Sequence, residues 1–519
     1  AFPIYKGLCD IVSHKPLLAS LHNIFVILVI NIKYFLLIIT IHLQVYIMKK
    51  QVALFNFRAF ILSILLSSIA VPVVAETEKS LSERIDRLEA IIAELKNSNN
   101  ANDKHKESSK KIVGTNSKFG YDILDQTTNI NRKQQLILSN KQDGTLRNNT
   151  INLEGAVTAI ANYQRSNEAD RFGYLMRHPT GANQVGKTVS EATIHSSQLG
   201  LTASLGSWTT AHFEMLFDPE QSFGSGTNTD LERNQVQVRQ AYVLFGNLNK
   251  TPWYASLGKM TIPFGLTDTV SPFTASTVWH AFGGLANGAT IGYLNNKFNA
   301  SFMFVQGGSQ FRSANTPVEN TNVPSRLNNY AIDINYTFDI SNAGNLLLGA
   351  SYQKGSAYCQ SFPITHFSPC QDNNPAFDIY AKLDYGNWVL KSEFAQTTDE
   401  WPGTFNPVFP QFEASKVTSF DIGIKHHNFL MNKPVDYSLE FSQFETGPDG
   451  SEWELQSQLV AGIALKLTDS VKLFGEYIHT DGFAPLNFLT GGLGGDPAVP
   501  LSSRDSKSDI LLIGVNAAF

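Results

Sequence analysis

Residues 508–519 read SDILLIGVNAAF, and Leu511, Ile513, Val515 and Ala517 alternate there with Gly514, Asn516 and Ala518. Strict period-two patterning marks a strand with one apolar face. On its own the stretch fits either the last strand of a soluble sandwich or a wall strand of a membrane barrel. The rest of the chain separates the two.

Upstream, the same unit recurs: an alternating strand, then a turn. Strands are predicted at about 151–163, 193–205, 208–217, 235–246, 253–260, 288–294, 298–306, 328–338, 345–354, 376–385, 387–396, 417–427, 434–444, 456–467, 470–479 and 508–519. Links after even-numbered strands are short, such as Gly206-Ser207, Gly386 and Thr468-Asp469, whereas most links after odd strands are long. A transmembrane barrel has this asymmetry, with periplasmic turns and extracellular loops. A sandwich has no reason to keep it. The expected fold is therefore all-β, a 16-stranded antiparallel transmembrane β-barrel over residues 151–519, in contact with outer-membrane lipid. Composition agrees: only 16% of the 519 residues are charged, while Phe (35), Tyr (17) and Gly (37) are abundant. No stretch concentrates Lys and Arg enough to neutralise a phosphate backbone, so a nucleic-acid partner is not expected.

The N-terminal region carries two apolar stretches. Residues 24–47 are long enough to span a bilayer, although Lys33 and His42 interrupt them. Residues 48–75 have every part of a signal peptide: Lys49, Lys50 and Arg58, then an apolar run, then Val73 and Ala75 before Glu76. Residues 1–47 accordingly read as upstream sequence from a wrong start, with an extra membrane anchor as the alternative. Leu81, Ile85, Leu88, Ile92 and Leu95 form a short heptad seam within 76–96, a periplasmic coiled-coil helix suited to self-association or docking. Residues 97–150 comprise a polar linker and a weakly patterned segment, either a small periplasmic subdomain or an inward plug.

With apolar residues facing lipid, parity assigns the lumen charges. The acids are Glu214, Asp333, Asp378, Asp384, Glu393, Asp421, Asp436, Glu440 and Glu476; the bases are Arg239, Lys382, Lys391, Lys425 and Lys472. Water in the lumen is expected to tolerate them, and the excess of acids is a mild argument against an anion-selective pore. The link 261–287 is too apolar for an exposed loop and is expected to fold inward, placing Asp268, Trp279 and His280 near a constriction whose aromatics (Phe264, Phe273, Trp279, Phe282) contact the solute. Cys359 and Cys370 lie close together in a polar stretch, which suggests a loop disulfide; a metal pair is the rival reading but lacks further ligands. Histidines show no ligand spacing, and no phosphate-binding loop, nucleophile elbow or zinc-protease pattern is present. Neither an enzyme nor a cofactor is expected.

Three resemblances follow from these residues. A chain closing on an apolar-faced strand and Phe519 resembles the closing strand of bacterial outer-membrane barrels. Val238-Arg-Gln-Ala-Tyr-Val and Leu257-Gly-Lys-Met-Thr-Ile-Pro-Phe-Gly resemble the strand-and-loop signature of phosphate-selective-type porins. From residue 48 onward, the signal peptide, the heptad helix LSERIDRLEAIIAEL, the polar linker and the barrel resemble the LbtU-type siderophore porins. That resemblance implies uptake of a ferric siderophore or other iron source through an outer-membrane barrel, and it transfers no ligand residue. A general or phosphate-type diffusion porin is the alternative, and an envelope-tethering structural barrel a third reading. N-terminal sequencing of the protein purified from outer membranes is expected to begin at Glu76. Retention of residues 1–47 would overturn both the signal-peptide and the wrong-start readings.

Overall fold

A computed structural model describes residues 112–169, 171–174, 186–217, 236–306, 310–311, 327–341, 344–358, 373–401, 414–451, 454–484 and 503–519. The signal peptide, the heptad helix, Cys359 and Cys370 lie outside the described residues. Sixteen long strands form the wall: β1 Thr150–Ser166, β2 Thr188–Leu205, β3 Thr209–Phe217, β4 Val236–Gly246, β5 Trp253–Thr261, β6 Gly284–Leu294, β7 Phe298–Gln306, β8 Leu327–Ser341, β9 Gly344–Gln353, β10 Ala376–Tyr385, β11 Trp388–Thr397, β12 Thr418–Leu430, β13 Lys433–Glu445, β14 Leu455–Thr468, β15 Val471–Ala484 and β16 Ser503–Ala518. Each pairs antiparallel with the next, and β16 returns to β1 with Leu511 opposite Tyr163 and Ala518 opposite Ala156. The ring therefore has no open edge, and its backbone polar groups are satisfied within the wall. Two-residue pairs at Val113–Gly114 and Gln310–Phe311 lie beside it.

The alternation read from the sequence has the expected sense. Ile194, Leu199, Leu257, Ile291, Ile379, Ile422, Leu511 and Ile513 are exposed on the outer face, while their neighbours in sequence are buried or half-buried. Trp208, Trp253, Phe338, Tyr385 and Trp388 form an exposed aromatic set at the short-turn end, the position of an interfacial girdle in a membrane barrel. The tight turns suit their residues. Met431 and Asn432 link β12 to β13 with φ of 50° and 61°, the paired left-handed geometry that matches the twist of a hairpin.

Residues 112–149 resolve the open alternative for this segment. They pack against the inner wall rather than forming a separate subdomain. Helix α1 (Ser117–Leu124) is capped by Asn116, whose side chain accepts from Phe119 N, and it buries Phe119, Ile123 and Leu124. Helix α2 (Lys133–Gln142) buries Ile137 and Leu138. Its polar residues reach the wall: Gln135 donates to Tyr254 Oη at 2.8 Å, and Lys141 to Thr210 Oγ1 at 2.9 Å. A helix that docks on a polar wall needs little apolar periodicity, which is why KQQLILSNKQ shows so little.

The two ends of the barrel meet at Phe519. Its backbone exchanges hydrogen bonds with Gly155, at 2.9 and 3.1 Å. A Cβ on Gly155 would strike the Phe519 ring, and one on Gly120 of α1 would strike the Phe519 carbonyl. Gly155→Val should cost roughly 1–3 kcal/mol by overpacking and lower the temperature at which the barrel loses its folded migration in unheated gels. Gly475→Ala, where a Cβ meets nothing nearer than 3.7 Å, should leave that temperature unchanged.

Candidate functional site

The link between β5 and β6, residues 262–283, enters the barrel and runs along the inner wall. Its sequence alternates small hydroxyl residues with apolar ones: Thr267, Thr269, Ser271, Thr274, Ser276 and Thr277. Inside a barrel such a segment has no sheet partner, so its backbone N–H groups need other acceptors. Carboxylates on alternate wall strands supply them. Thr267 N donates to both oxygens of Glu393 on β11, at 2.8 and 3.0 Å. Ser271 N and Oγ donate to Glu440 on β13 at 2.9 and 2.7 Å, and Thr269 Oγ1 donates to the same oxygen. Phe273 N and Thr274 N donate to Glu476 on β15 at 2.8 and 3.0 Å, joined by Thr274 Oγ1.

Wall donors hold the carbonyl side. Lys391 Nζ donates to Asp268 O, Lys472 Nζ to Pro272 O at 3.0 Å, and Gln458 Nε2 to Ala275 O at 3.1 Å. The wall is also notched to fit. A Cβ on Gly423 would meet Val270, and one on Gly462 would meet Pro272. Gly265, at φ 72°, lets the loop turn directly over Glu393 and Asp378. Helix α3 (Thr277–Phe282), capped by Ser276, carries the chain back towards β6.

The expected inward fold of this loop is thus present, but its aromatics do not line an opening. Phe264, Phe273 and Phe282 are all buried against the wall. Phe273 stacks on Phe474 and meets His195 edge-on, and Phe282 meets Phe264 and Tyr358. Apolar side chains leave water where a packed surface is offered. Of the three expected constriction residues, Asp268 accepts from Ile130 N at 3.1 Å and so faces the N-terminal segment. Trp279 and His280 lie on α3 in mutual edge contact, with His280 buried and Trp279 half-buried.

Several of the charges that parity assigns to the lumen lie out of water. Asp378, Lys391, Glu393, Asp421, Glu440 and Glu476 are each 4% exposed or less. Lys391 sits among Asp421, Glu393 and Glu440 at 3.1, 3.4 and 3.8 Å. Glu214 pairs with Arg239 at 3.3 Å and accepts from Gln198 and Gln240. Buried charges persist when paired and hydrogen-bonded: the loop bonds Glu393, Glu440 and Glu476, and Lys391 pairs with Asp421, while the Asp378 oxygens have no hydrogen-bond partner among the described residues. The Lys382–Asp384 pair, at 3.7 Å and partly exposed, is of the expected solvated type, and Asp436 is likewise partly exposed beside His427. An acid excess counted along the wall therefore does not describe the charge a solute meets.

The N-terminal segment meets the loop from beneath, a placement that the sequence left open between an inward plug and a periplasmic subdomain. Thr269 N donates to Thr127 O at 2.9 Å, and Asn131 Nδ2 donates to Phe264 O and Gly265 O at 2.7 and 3.2 Å. Burial raises the pKa of the Asp125 carboxyl, but Lys472, Lys133 and the Thr127 hydrogen bonds more than offset it and hold it below the usual range. The stability this carboxylate contributes is present above its unfolded-state pKa and is lost as pH falls through the lowered value. Sequence reasoning missed a wall cluster in which Ser351 Oγ and Tyr380 Oη each donate to Asp333 at 2.7 Å. The run of hydroxyl residues in the loop was the available signal for its docking, since carboxylates one strand apart need such donors.

The chain matches no known family model. A curated UPF0422 protein of Coxiella burnetii (strain RSA 493 / Nine Mile phase I) is 22% identical over 224 residues, which cover 41% of this chain and 43% of that protein. The match thus spans less than half the length of that relative. Among solved structures, an anion-selective porin from Comamonas acidovorans aligns with a TM-score of 0.45 and 16% identity, over 71% of this chain and 99% of that one. OmpF of Salmonella typhi in complex with daunomycin gives 0.44 and 13%, over 71% and 97%. OprB of Pseudomonas putida gives 0.42 and 8%, over 71% and 94%. The architecture described above rests on the closed hydrogen-bonded ring alone.

Glu476 spends its oxygens on the loop, so Glu476→Ala should free the segment around Phe273 at a cost of a few hydrogen bonds to a charged group, about 1.5–3 kcal/mol each. Chymotrypsin is expected to cut the variant within 262–283 while sparing the parent protein and Asp384→Ala. Equal resistance of Glu476→Ala would show that this carboxylate does not hold the loop.

Proposed function

We propose that the protein is an outer-membrane channel that admits a restricted class of solute, and that the solute is an iron chelate. The observation that supports a restricted channel is the double filling of the lumen. Loop 262–283 and segment 112–149 are each pinned to the inner wall and to each other. A barrel serving only as an envelope tether has no use for a loop held inside it by carboxylates on several strands. The apolar outer face and the aromatic set at the short-turn end support the membrane location, with those turns on the periplasmic side.

The iron-chelate part of the proposal rests on the resemblance of residues 48–519 to siderophore porins. The loop aromatics no longer contribute to it, because they face the wall. A general diffusion porin is the second reading. It is favoured by the short ladder of partly exposed charge at Lys382 and Asp384, which suits a water-filled mouth.

Proteoliposomes separate the two. Saturable entry of a radioiron-labelled siderophore, with neutral trisaccharides excluded, is the expected outcome. Entry of sugars graded only by size, with no saturation for the chelate, would establish the diffusion porin instead. Glu476→Ala should raise sugar permeation several-fold if the pinned loop sets the aperture.

A further inference from the structure

A cavity of about 220 Å³ lies at the short-turn end of the lumen, between the tip of the loop, the turn after α1 and strands β12–β15. One water needs about 10–15 Å³ on the same measure, so the space holds a solute rather than a single water. Its charged lining consists of Lys425, Lys466, Lys472, Asp125 and Asp436, with Tyr121 on the α1 side.

The acids there are already satisfied. Asp436 lies 2.7 Å from His427 Nδ1. Asp125 accepts from Thr127 N, Thr127 Oγ1 and Thr128 Oγ1. The nearby Glu440, beneath the loop, is held by Thr269, Ser271 and Lys391.

The ammonium groups are not equally committed. Lys472 is spent on Pro272 O and lies over the Tyr121 ring. Among the described residues Lys466 pairs with Asp469 at 3.1 Å, and its side chain is 43% exposed. Lys425, half-buried on β12, makes no direct hydrogen bond or ion pair with any described residue, and the carboxylates of Asp436, Asp125 and Glu440 act on it only through space. A partly desolvated ammonium without an acceptor is costly. The cavity thus offers one uncommitted ammonium, Lys425, and a partly exposed one, Lys466, beside carboxylates that already hold partners.

We propose that this cavity is a binding site for a small oxyanion, a phosphate- or carboxylate-bearing solute held by Lys425 and Lys466. Lys472 acts as a positioning residue, tying the loop tip to α1 so that the cavity keeps its shape. The site departs from the expectation drawn from the wall's acid excess, because three of those acids, Glu393, Glu440 and Glu476, are used by the loop. It lies where a solute crossing the lumen would pass the periplasmic mouth, but binding there does not depend on conduction or on iron.

Isothermal titration calorimetry on the full-length protein in detergent micelles tests this, with inorganic phosphate and citrate as separate probes. At least one anion should bind saturably, and Lys425→Gln should weaken it by about tenfold or more, the loss of one charge-assisted hydrogen bond. Lys425→Arg should retain binding, which guards against a variant that merely misfolds. Lys382→Gln, at the solvated pair elsewhere in the wall, should leave the affinity unchanged. Absence of saturable binding by either anion overturns the proposal, as does binding that survives both Lys425→Gln and Lys466→Gln. Because the readout is equilibrium binding in micelles, a failure of the channel reading in proteoliposomes leaves this result standing, and the converse holds too.

Discussion

Every backbone amide removed from water must find a partner, and that requirement shapes this protein twice. In the wall it forces the sixteen strands to close, with β16 returning to β1. Inside the wall it acts again, on loop 262–283, which has no neighbouring strand to pair with. The amides of Thr267, Ser271, Phe273 and Thr274 are met by Glu393, Glu440 and Glu476. Charged acceptors make stronger hydrogen bonds than neutral ones, so three side chains fix a segment that spans many strands.

This use of carboxylates changes what the lumen charges mean. A charge facing water tunes the passage of ions, whereas a charge spent on backbone amides is structural. Glu393, Glu440 and Glu476 belong to the second kind, and Lys391 is held among the first two of them and Asp421. Among the described residues, Lys382 with Asp384, and the cavity's lysines with Asp125 and Asp436, lie nearer the short turns. The charge near the cavity is then a local balance of three lysines and two acids rather than the tally along the wall.

Segment 112–149 couples these parts. Gly120 lies against the Phe519 carbonyl, at the seam where the barrel closes. Thr127 O receives Thr269 N of the loop, and Lys472 links Pro272 to Tyr121. Barrel closure, N-terminal segment and loop tip are therefore one connected network. Seating of the segment and seating of the loop support each other, as expected when hydrogen-bonded groups share partners.

The sequence by itself determined the wall. Period-two alternation is local, each strand carries its own copy, and the parity of short and long links compounds over sixteen strands, so the barrel was legible in it. It also showed that 262–283 was too apolar to lie outside. Only the tertiary structure decided what the inward groups do, because burial inside a barrel depends on what fills it. Glu393 and Glu476 read as solvated charges until a loop about a hundred residues or more away in the chain covers them. Phe264 and Phe273 read as an aperture until the wall offers them a packed surface. Residues 112–149 read as nearly featureless because their partners, among them Tyr254, Thr210 and Phe519, are remote in sequence, and the two short helices mix buried Phe119, Ile123, Ile137 and Leu138 with polar residues that reach the wall.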